Sequence, residues 1–380
     1  MDRFFTDEQR LLQRTVRRFA EEAILPVASA IDRDDEFPSS LYRGLAGLGL
    51  FGVSLPEEAG GSGLDTTAAC IAMEEIARCS GTVGNAFALP VEAAHFLNEH
   101  GNDFHKGLIP AVLNGDLLPA TAATEPDCGS DVAAMRTTAD RDGDDYVVNG
   151  TKAWVTFGRI ADFIMVFAKT DRNGGHKGIS CILIETDRPG VTRGRSEKLL
   201  GMHGLEDCQV VFDNVRVPMK SRLGLENNAF KMAMSNFNLS RLMMSSMALG
   251  MAQAAMEDAI TYAKSRKQFG SEIIKFQAVQ FMLADMSMDI SAARLLIHHA
   301  ARLYDVGHPI AKEAAHAKLF TTDMAMKHVS NALQIHGGNG YSKEYRIERI
   351  FRDVRLSQIY EGTNQIQRLI IARQLEKDFL

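Results

Sequence analysis

Three segments of the chain carry residue types that can do chemistry. In Ile359-Tyr360-Glu361-Gly362-Thr363-Asn364-Gln365-Ile366-Gln367-Arg368, the carboxylate of Glu361 stands beside a glycine just before an apolar helical run. Such a group can face a cavity with free backbone N–H groups next to it. An ordinary glutamate at a helix start has the same local sequence. In Thr124-Glu125-Pro126-Asp127-Cys128-Gly129-Ser130-Asp131, glycine and hydroxyl residues can donate to the polar edge of a cofactor and to a thioester, or simply make a polar turn. Asn149-Gly150-Thr151-Lys152-Ala153-Trp154-Val155-Thr156 holds the only tryptophan of the chain. On a strand Trp154 and Thr156 share a face, so the indole can pack on a flat cofactor while Thr156 hydrogen-bonds it. Taken alone, the tryptophan is expected in a core.

Other motifs fail on inspection. Gly47-Leu48-Gly49-Leu50-Phe51-Gly52 matches G-x-G-x-x-G, but it ends a helical segment from Ser39 rather than following a strand, and reads as a helix C-terminus and turn. Asp140, Asp142 and Asp144 echo a calcium loop that lacks its glycine and its closing glutamate, since Asp145 and Thr151 stand there; a hairpin turn is expected. His298-His299 lies on a helix with no third ligand at convincing spacing, which leaves a surface or half-buried pair.

The elements that must position the three segments change along the chain. Up to about Asn114 the pattern is helical. Thr6-Asp7-Glu8 caps a segment with Leu11, Leu12, Val16, Phe19 and Ala20 on one face. Between Leu117 and Val217, short β-rich runs such as Tyr146–Val148, Phe163–Ala168, Ile179–Ile184 and Val210–Phe212 are separated by Gly, Asn, Asp and Pro turns. From Asn227 the helical period returns. Phe276, Val279, Leu283, Met286, Ile290, Ala293, Ile297 and Ala300 form a seam, with partners expected in Arg241–Ser265, Pro309–Gln334 and Gly362–Phe379. The expected architecture is α+β and multidomain: an N-terminal α-helical domain (1–116), a middle β-barrel or sandwich domain (117–226), and a C-terminal four-helix bundle (227–380).

Composition bounds the partners. At 380 residues two or three packed units are expected. A formal net charge of −6 argues against nucleic acid. No apolar run reaches membrane-spanning length. Five scattered cysteines without a C-x-x-C pair point to reduced thiols and a reducing compartment, bacterial cytoplasm or, for a processed form, the mitochondrial matrix.

Together the segments resemble the acyl-CoA dehydrogenase family over nearly the whole chain. Leu55-Pro56-Glu57-Glu58 with Gly60, Gly61 and Gly63 is similar to an N-terminal turn of that family, and Thr124-Glu125-Pro126 with Gly129-Ser130-Asp131 to its first flavin signature. Asn149-Gly150 through Lys152, Trp154 and Thr156 resembles the second signature. Arg266-Lys267-Gln268-Phe269-Gly270 with Gln277 resembles the third, while Gln334 with Gly337-Gly338-Asn339-Gly340 and Tyr360-Glu361-Gly362-Thr363 resemble the closing ones.

The resemblance implies FAD held by Thr124, Ser130, Trp154 and Thr156 of one subunit. Arg266, Phe269, Gln277, Gln334 and Gly338 would come from a neighbour, and Thr363 and Gln365 from the first subunit again. It implies a homotetramer built as a dimer of dimers and re-oxidation by an electron-transferring flavoprotein or similar acceptor. Ser130, Arg241, Gly362 and Arg373 would line the acyl-CoA groove, and Glu361 would be the base of the medium- and short-chain branch. Some relatives place the glutamate at the position of Ser240, where serine cannot act as a base. A thioester α-proton is weakly acidic, so the base must be close and fixed donors must stabilise the enolate oxygen. The resemblance assigns those donors to the Glu361 N–H and a ribityl hydroxyl of FAD, with flavin N5 as the hydride acceptor.

The chain departs from the family pattern at Asp127-Cys128, at Phe157, and at His203, Leu205 and Asp207. Glu92 and His95 fall in the helical segment that lines the acyl pocket in relatives; a solvated helix face is expected, with a polar acyl tail as the alternative. The competing functions are a dehydrogenase for carrier-protein-bound acyl groups, an enoyl-CoA reductase, and a non-catalytic flavin-binding relative.

Overall fold

The computed structural model describes residues 5–378. The chain ends that the expected domains 1–116 and 227–380 include, Phe379 among them, lie outside the described residues.

The N-terminal part is helical: α1 (Asp7–Phe19), α2 (Ala28–Asp34), α3 (Ser39–Gly47), α4 (Thr66–Ala77), α5 (Gly81–His100), α6 (Asp103–Lys106) and α7 (Ile109–Leu113). Thr6 caps α1 in a reciprocal box with Gln9. Asp65 and Ser80 cap α4 and α5. Val16 on α1 and Ala20 just after it are buried as the periodicity requires, but Leu11 is exposed. The G-x-G-x-x-G segment does end α3, with Gly49 left-handed at φ +71°.

The middle part is one eight-stranded sheet. Its strands are β1 (Pro119–Ala122), β2 (Thr138–Asp142), β3 (Asp145–Val155), β4 (Phe163–Lys169), β5 (Ile179–Glu185), β6 (Val191–Arg193), β7 (Cys208–Pro218) and β8 (Arg222–Leu223). They are ordered β6-β7-β3-β2-β4-β5-β8, with β1 added parallel to β4. Asp142-Gly143-Asp144 is the expected hairpin, closing β2 onto β3. The outer part of β7 alternates buried and exposed residues, whereas β4 and β5 are buried on both faces. One face packs Ile164, Val166, Ile182 and Ile184 against Tyr146, Val148, Val210 and Phe212 of the same sheet. The other packs Phe163, Met165, Phe167 and Leu183 against Ala93, Phe96 and Leu97 of α5. The helical and β parts therefore share an apolar boundary.

The C-terminal part comprises α8 (Ala229–Ser265), a small hairpin of β9 (Lys267–Gln268) and β10 (Ser271–Glu272), α9 (Gln277–Asp305), α10 (Ala311–His336), the short α11 (Ile347–Leu356) and α12 (Asn364–Asp378). The long α8 packs against α4, α5, α9 and α10, so it joins the bundle to the N-terminal helices. The α9 seam is fully buried from Met286 to Ala300 and half-buried before that. His298 is buried and His299 exposed. All five cysteines are buried and unpaired. Among the described residues no helix is long and apolar enough to cross a membrane, and no cluster of His, Cys, Asp or Glu is placed to hold a metal.

Candidate active site

Glu361 does not begin a helix. It and Gly362 form a turn between α11 and α12 in which both residues are left-handed, at φ +52° and +84°. A glutamate rarely adopts that conformation, so the surroundings must impose it. Lys318 of α10, fully buried, donates to Gly362 O at 2.9 Å and to Asn364 Oδ1 at 2.8 Å. Gln367 Nε2 donates to Glu361 O at 3.2 Å and to Gly362 O at 2.8 Å. At φ +84° Gly362 has a conformation that strains any residue with a Cβ, and a Cβ there would also press on Gln367 Nε2 at 2.7 Å. The backbone N–H of Glu361 has no partner among the described residues and remains free to donate.

The carboxylate reaches α8. Ser240 Oγ lies 2.9 Å from Glu361 Oε2 and 2.9 Å from Glu92 Oε1 on α5. Burial pushes the Glu361 carboxyl up, opposed by the Ser240 hydroxyl and by Arg241 and Lys318. Burial likewise lowers Lys318 to about 8, with Glu361 opposing. Arg241 is itself buried, bonding Asn238 Oδ1 at 2.9 Å with its Nε unpartnered. Glu92 is therefore no solvated helix face, contrary to the sequence expectation. It is half-buried, held by Ser240, and raised well above its ordinary value by burial and by Glu361. His95, one turn further on, bonds Ser54 Oγ at 2.9 Å and is lowered by burial to about 4, so it is neutral. The period-of-3.6 test misses both residues because α5 is apolar all round and offers no polar face to compare.

The segments at 124–131 and 149–156 meet at one end of the sheet. Ala153 N–H donates to Thr124 O at 2.9 Å. Lys152, fully buried, donates to Glu125 Oε1 at 2.8 Å and to Ala123 O at 3.0 Å. Glu125 also accepts from the N–H groups of Arg136 and Thr137 at 2.6 and 2.9 Å. Thus Glu125 and Lys152 are a buried clamp, and Thr124 and Ser130 are what they hold in place.

Trp154 corrects two expectations. It is 60% exposed rather than in a core. It also sits at φ +57° in a β-bulge, where the register shifts between Lys152 and Val155, and β3 stops before Thr156. The simple alternation that placed Trp154 and Thr156 on one face of a strand does not hold. An uncovered indole at this edge remains a plane on which a flat ring can stack. Thr156 Oγ1 donates to Asp207 Oδ1 at 2.9 Å. Burial raises Asp207 to about 6. Glu361, Glu92 and Asp207 all bear on the half-buried Tyr360, which ties this edge to the Glu361 turn.

His203, Leu205 and Phe157 have structural accounts. Both ring nitrogens of His203 face carbonyl oxygens, Asp32 O at 2.7 Å and Leu199 O at 3.0 Å, which asks both to donate. Burial opposes charge here, but those carbonyls and the Asp32 carboxylate raise His203 above its ordinary value. Leu205 and Phe157 are buried, Phe157 against Phe37 with ring centroids 5.3 Å apart.

The remaining candidates lie elsewhere. Arg266, Phe269 and Gln277 surround the β9–β10 hairpin, with Phe269 96% exposed at its tip. Tyr262 stacks on His336 at 4.5 Å and bonds Asn339, which brings the end of α8 to Gln334 and Gly338. Thr363 and Gln365 flank the start of α12, and Thr363 Oγ1 accepts from Ile366 N–H at 3.2 Å. Arg373 is exposed on α12 and makes no hydrogen bond or ion pair among the described residues, so the structure does not join it to Arg241. Sequence reasoning missed Lys318. Its signal was a lysine on the α10 face shared by Ala314, Thr321, Thr322 and Ala325, all buried.

Residues 6–116, 120–215 and 227–376 match, in order, the N-terminal, middle and C-terminal domains of acyl-CoA dehydrogenase. The chain is 42% identical to the 3-(aryl)acrylate reductase of Clostridium sporogenes, covering 98% of this chain and 100% of that protein. It is 41% identical to the mitochondrial short-chain specific acyl-CoA dehydrogenase of Bos taurus, over 98% and 91% of the two chains. A chain solved in work on the electron transferring flavoprotein of Acidaminococcus fermentans superposes with a TM-score of 0.96 at 37% identity, covering 99% of each.

Proposed function

The chain belongs to the acyl-CoA dehydrogenase family, and on that premise we propose that Glu361 takes the α-proton of an acyl-CoA thioester in FAD-dependent α,β-dehydrogenation. The product is the trans-2-enoyl-CoA. FAD, when bound, supplies the acceptor for the β-hydride. The observation that carries the reading is the Glu361 turn: a half-buried carboxylate next to its own unpartnered N–H, with Arg241 and Lys318 behind it. The two cations oppose the desolvation that raises the base. The free N–H can donate to the thioester oxygen as charge develops there. A short acyl group is the favoured substrate, on the likeness to the short-chain enzyme. The likeness to a reductase supports operation of the same site in the opposite direction.

Thr124, Ser130, Trp154 and Thr156 would hold the flavin of their own subunit, with Thr363 and Gln365. Arg266, Phe269, Gln277, Gln334 and Gly338 would serve a neighbour. Ser240 on α8 and Arg266 just past its end are 26 residues apart, roughly 39 Å at ~1.5 Å per residue, too far for one cofactor to touch both within a subunit. Phe281, Met288 and Leu295 recur every seven residues on α9 and are all exposed, which supports helix-to-helix association of copies. A homotetramer, the domain division at 116/117 and 226/227, and an electron-transferring flavoprotein as acceptor complete the proposal.

The test is anaerobic flavin reduction by butyryl-CoA. Glu361→Gln is expected to retain FAD and ligand while slowing the reduction by about 10²–10⁴-fold. Reduction at close to the parent rate would assign the base to another residue.

A further inference from the structure

Ser240 Oγ carries one proton and lies at hydrogen-bonding distance, 2.9 Å, from a carboxyl oxygen of Glu92 and from one of Glu361. It can donate to only one of them. The other contact is a hydrogen bond only if that carboxyl is protonated and donates to Ser240 Oγ. With both carboxyls ionised, one oxygen pair would face each other with no hydrogen between them, in a site from which much water is excluded.

We propose that Glu92, Ser240 and Glu361 form one proton-sharing unit in which Glu92 holds the proton and Glu361 is left ionised, so that Glu92 is a positioning residue for the base. The unit holds one carboxyl proton at rest: Glu92 O–H donates to Ser240 Oγ, and Ser240 O–H donates to Glu361. When Glu361 takes a proton from the substrate α-carbon, the unit holds two, and both carboxyls are neutral.

The surroundings decide which carboxyl keeps the proton. Arg241 of α8 and Lys318 of α10 both favour the charged form of Glu361. Among the described residues no cation shifts Glu92, which responds to burial, Glu361 and Ser240. On its own helix, His95 is neutral and committed to Ser54. On α4, Glu74 and Glu75 are turned away to Arg294 and Arg17. From the loop after α11, Tyr360 is raised by burial and by Glu361, Glu92 and Asp207, so it stays neutral and brings no positive charge.

The proposal rests on Glu361 being the base for its catalytic meaning, but its proton count can be read separately. Infrared spectra of the FAD-loaded parent, Glu92→Gln and Glu361→Gln proteins at pH 7 would be compared in D2O. The parent is expected to show a protonated-carboxyl band that Glu92→Gln removes and Glu361→Gln retains. Beside the ionisation of Lys318 near 8, which all three proteins keep, the pH profile of anaerobic flavin reduction should show a further alkaline ionisation in the parent that is missing from both Glu92→Gln and Glu92→Leu. Flavin content checks that each variant folds, and the leucine variant serves if the glutamine variant does not. Absence of the band from the parent, or its loss in Glu361→Gln instead, overturns the proposal. A pH profile that is the same in the parent and in both Glu92 variants does the same. If Glu361→Gln reduces flavin normally while the band still follows Glu92, the base assignment fails and the shared proton stands.

Discussion

Asp207 shows how one residue can change the character of a site. It is buried at the end of β7 and accepts the Thr156 hydroxyl proton, so Thr156 Oγ1 is left with only its lone pairs for any other partner. Burial holds Asp207 neutral up to about pH 6, opposed by the Thr156 bond. Ionisation above that pH places a negative charge one hydrogen bond from the proposed flavin edge. The flavin spectrum or potential of the parent is therefore expected to titrate near pH 6, and Asp207→Asn to abolish that step. A titration unchanged in Asp207→Asn would separate Asp207 from the cofactor.

At the scale of elements, the site depends on how loops are tied to strands and helices. The loop that carries Thr124 and Ser130 is fastened to β3 by Lys152 and Glu125, neither with appreciable surface. Removing one partner strands the other charge in the interior, at a cost of about 3–5 kcal/mol. Lys152→Met is expected to lower thermal stability by that order and to weaken FAD retention. A double replacement of Lys152 and Glu125 by apolar residues should recover part of the stability, although the N–H groups of Arg136 and Thr137 would lose their acceptor. Thermal unfolding of the single and double variants decides this; a single variant as stable as the parent refutes the clamp. The Glu361 turn follows the same logic, since Lys318 and Gln367 hold the carbonyls of two left-handed residues.

For the whole molecule, two properties follow from burial. His298 lies inside the bundle, and burial lowers it from 6.5 to about 4, helped by Arg294 and Arg302. Between those values the unfolded chain binds a proton that the folded chain refuses, so stability rises with pH across that window and is lost as pH falls from 6.5 toward 4. The full effect is about 3 kcal/mol. His298→Gln should flatten the pH dependence of the melting temperature in that range; a curve parallel to the parent's would refute it. The second property is assembly. A guanidinium can pair bidentately with pyrophosphate oxygens, which alanine cannot reproduce. If Arg266 reaches a neighbour's cofactor, FAD binding and association are linked by mass action. Arg266→Ala is expected to lower both flavin content and the tetramer fraction in sedimentation experiments. A flavin-loaded, active monomer would contradict the shared site.

The sequence by itself determined the order of the helical, β and helical parts, the end of α3 at its glycines, the β2–β3 hairpin, and Glu361 beside Gly362. These are local matters of periodicity, turn chemistry and motif order, and they need no knowledge of what lies across the fold. Leu11 and Trp154 mark where local pattern stops. A helix stripe is only as wide as its partner surface, and a bulge breaks a period of two. The tertiary structure alone decided that Glu92 of α5, Ser240 of α8 and Lys318 of α10 converge on a residue from the loop before α12. It also decided that Asp207 accepts the hydrogen bond of the Thr156 hydroxyl. Glu92, Ser240 and Lys318 are 43 to 269 positions from Glu361, and Thr156 and Asp207 are 51 apart, so no spacing rule joins them. Charges buried in otherwise apolar helices declare their role only when their partners arrive, because the desolvation of each is balanced by groups that the chain brings from elsewhere.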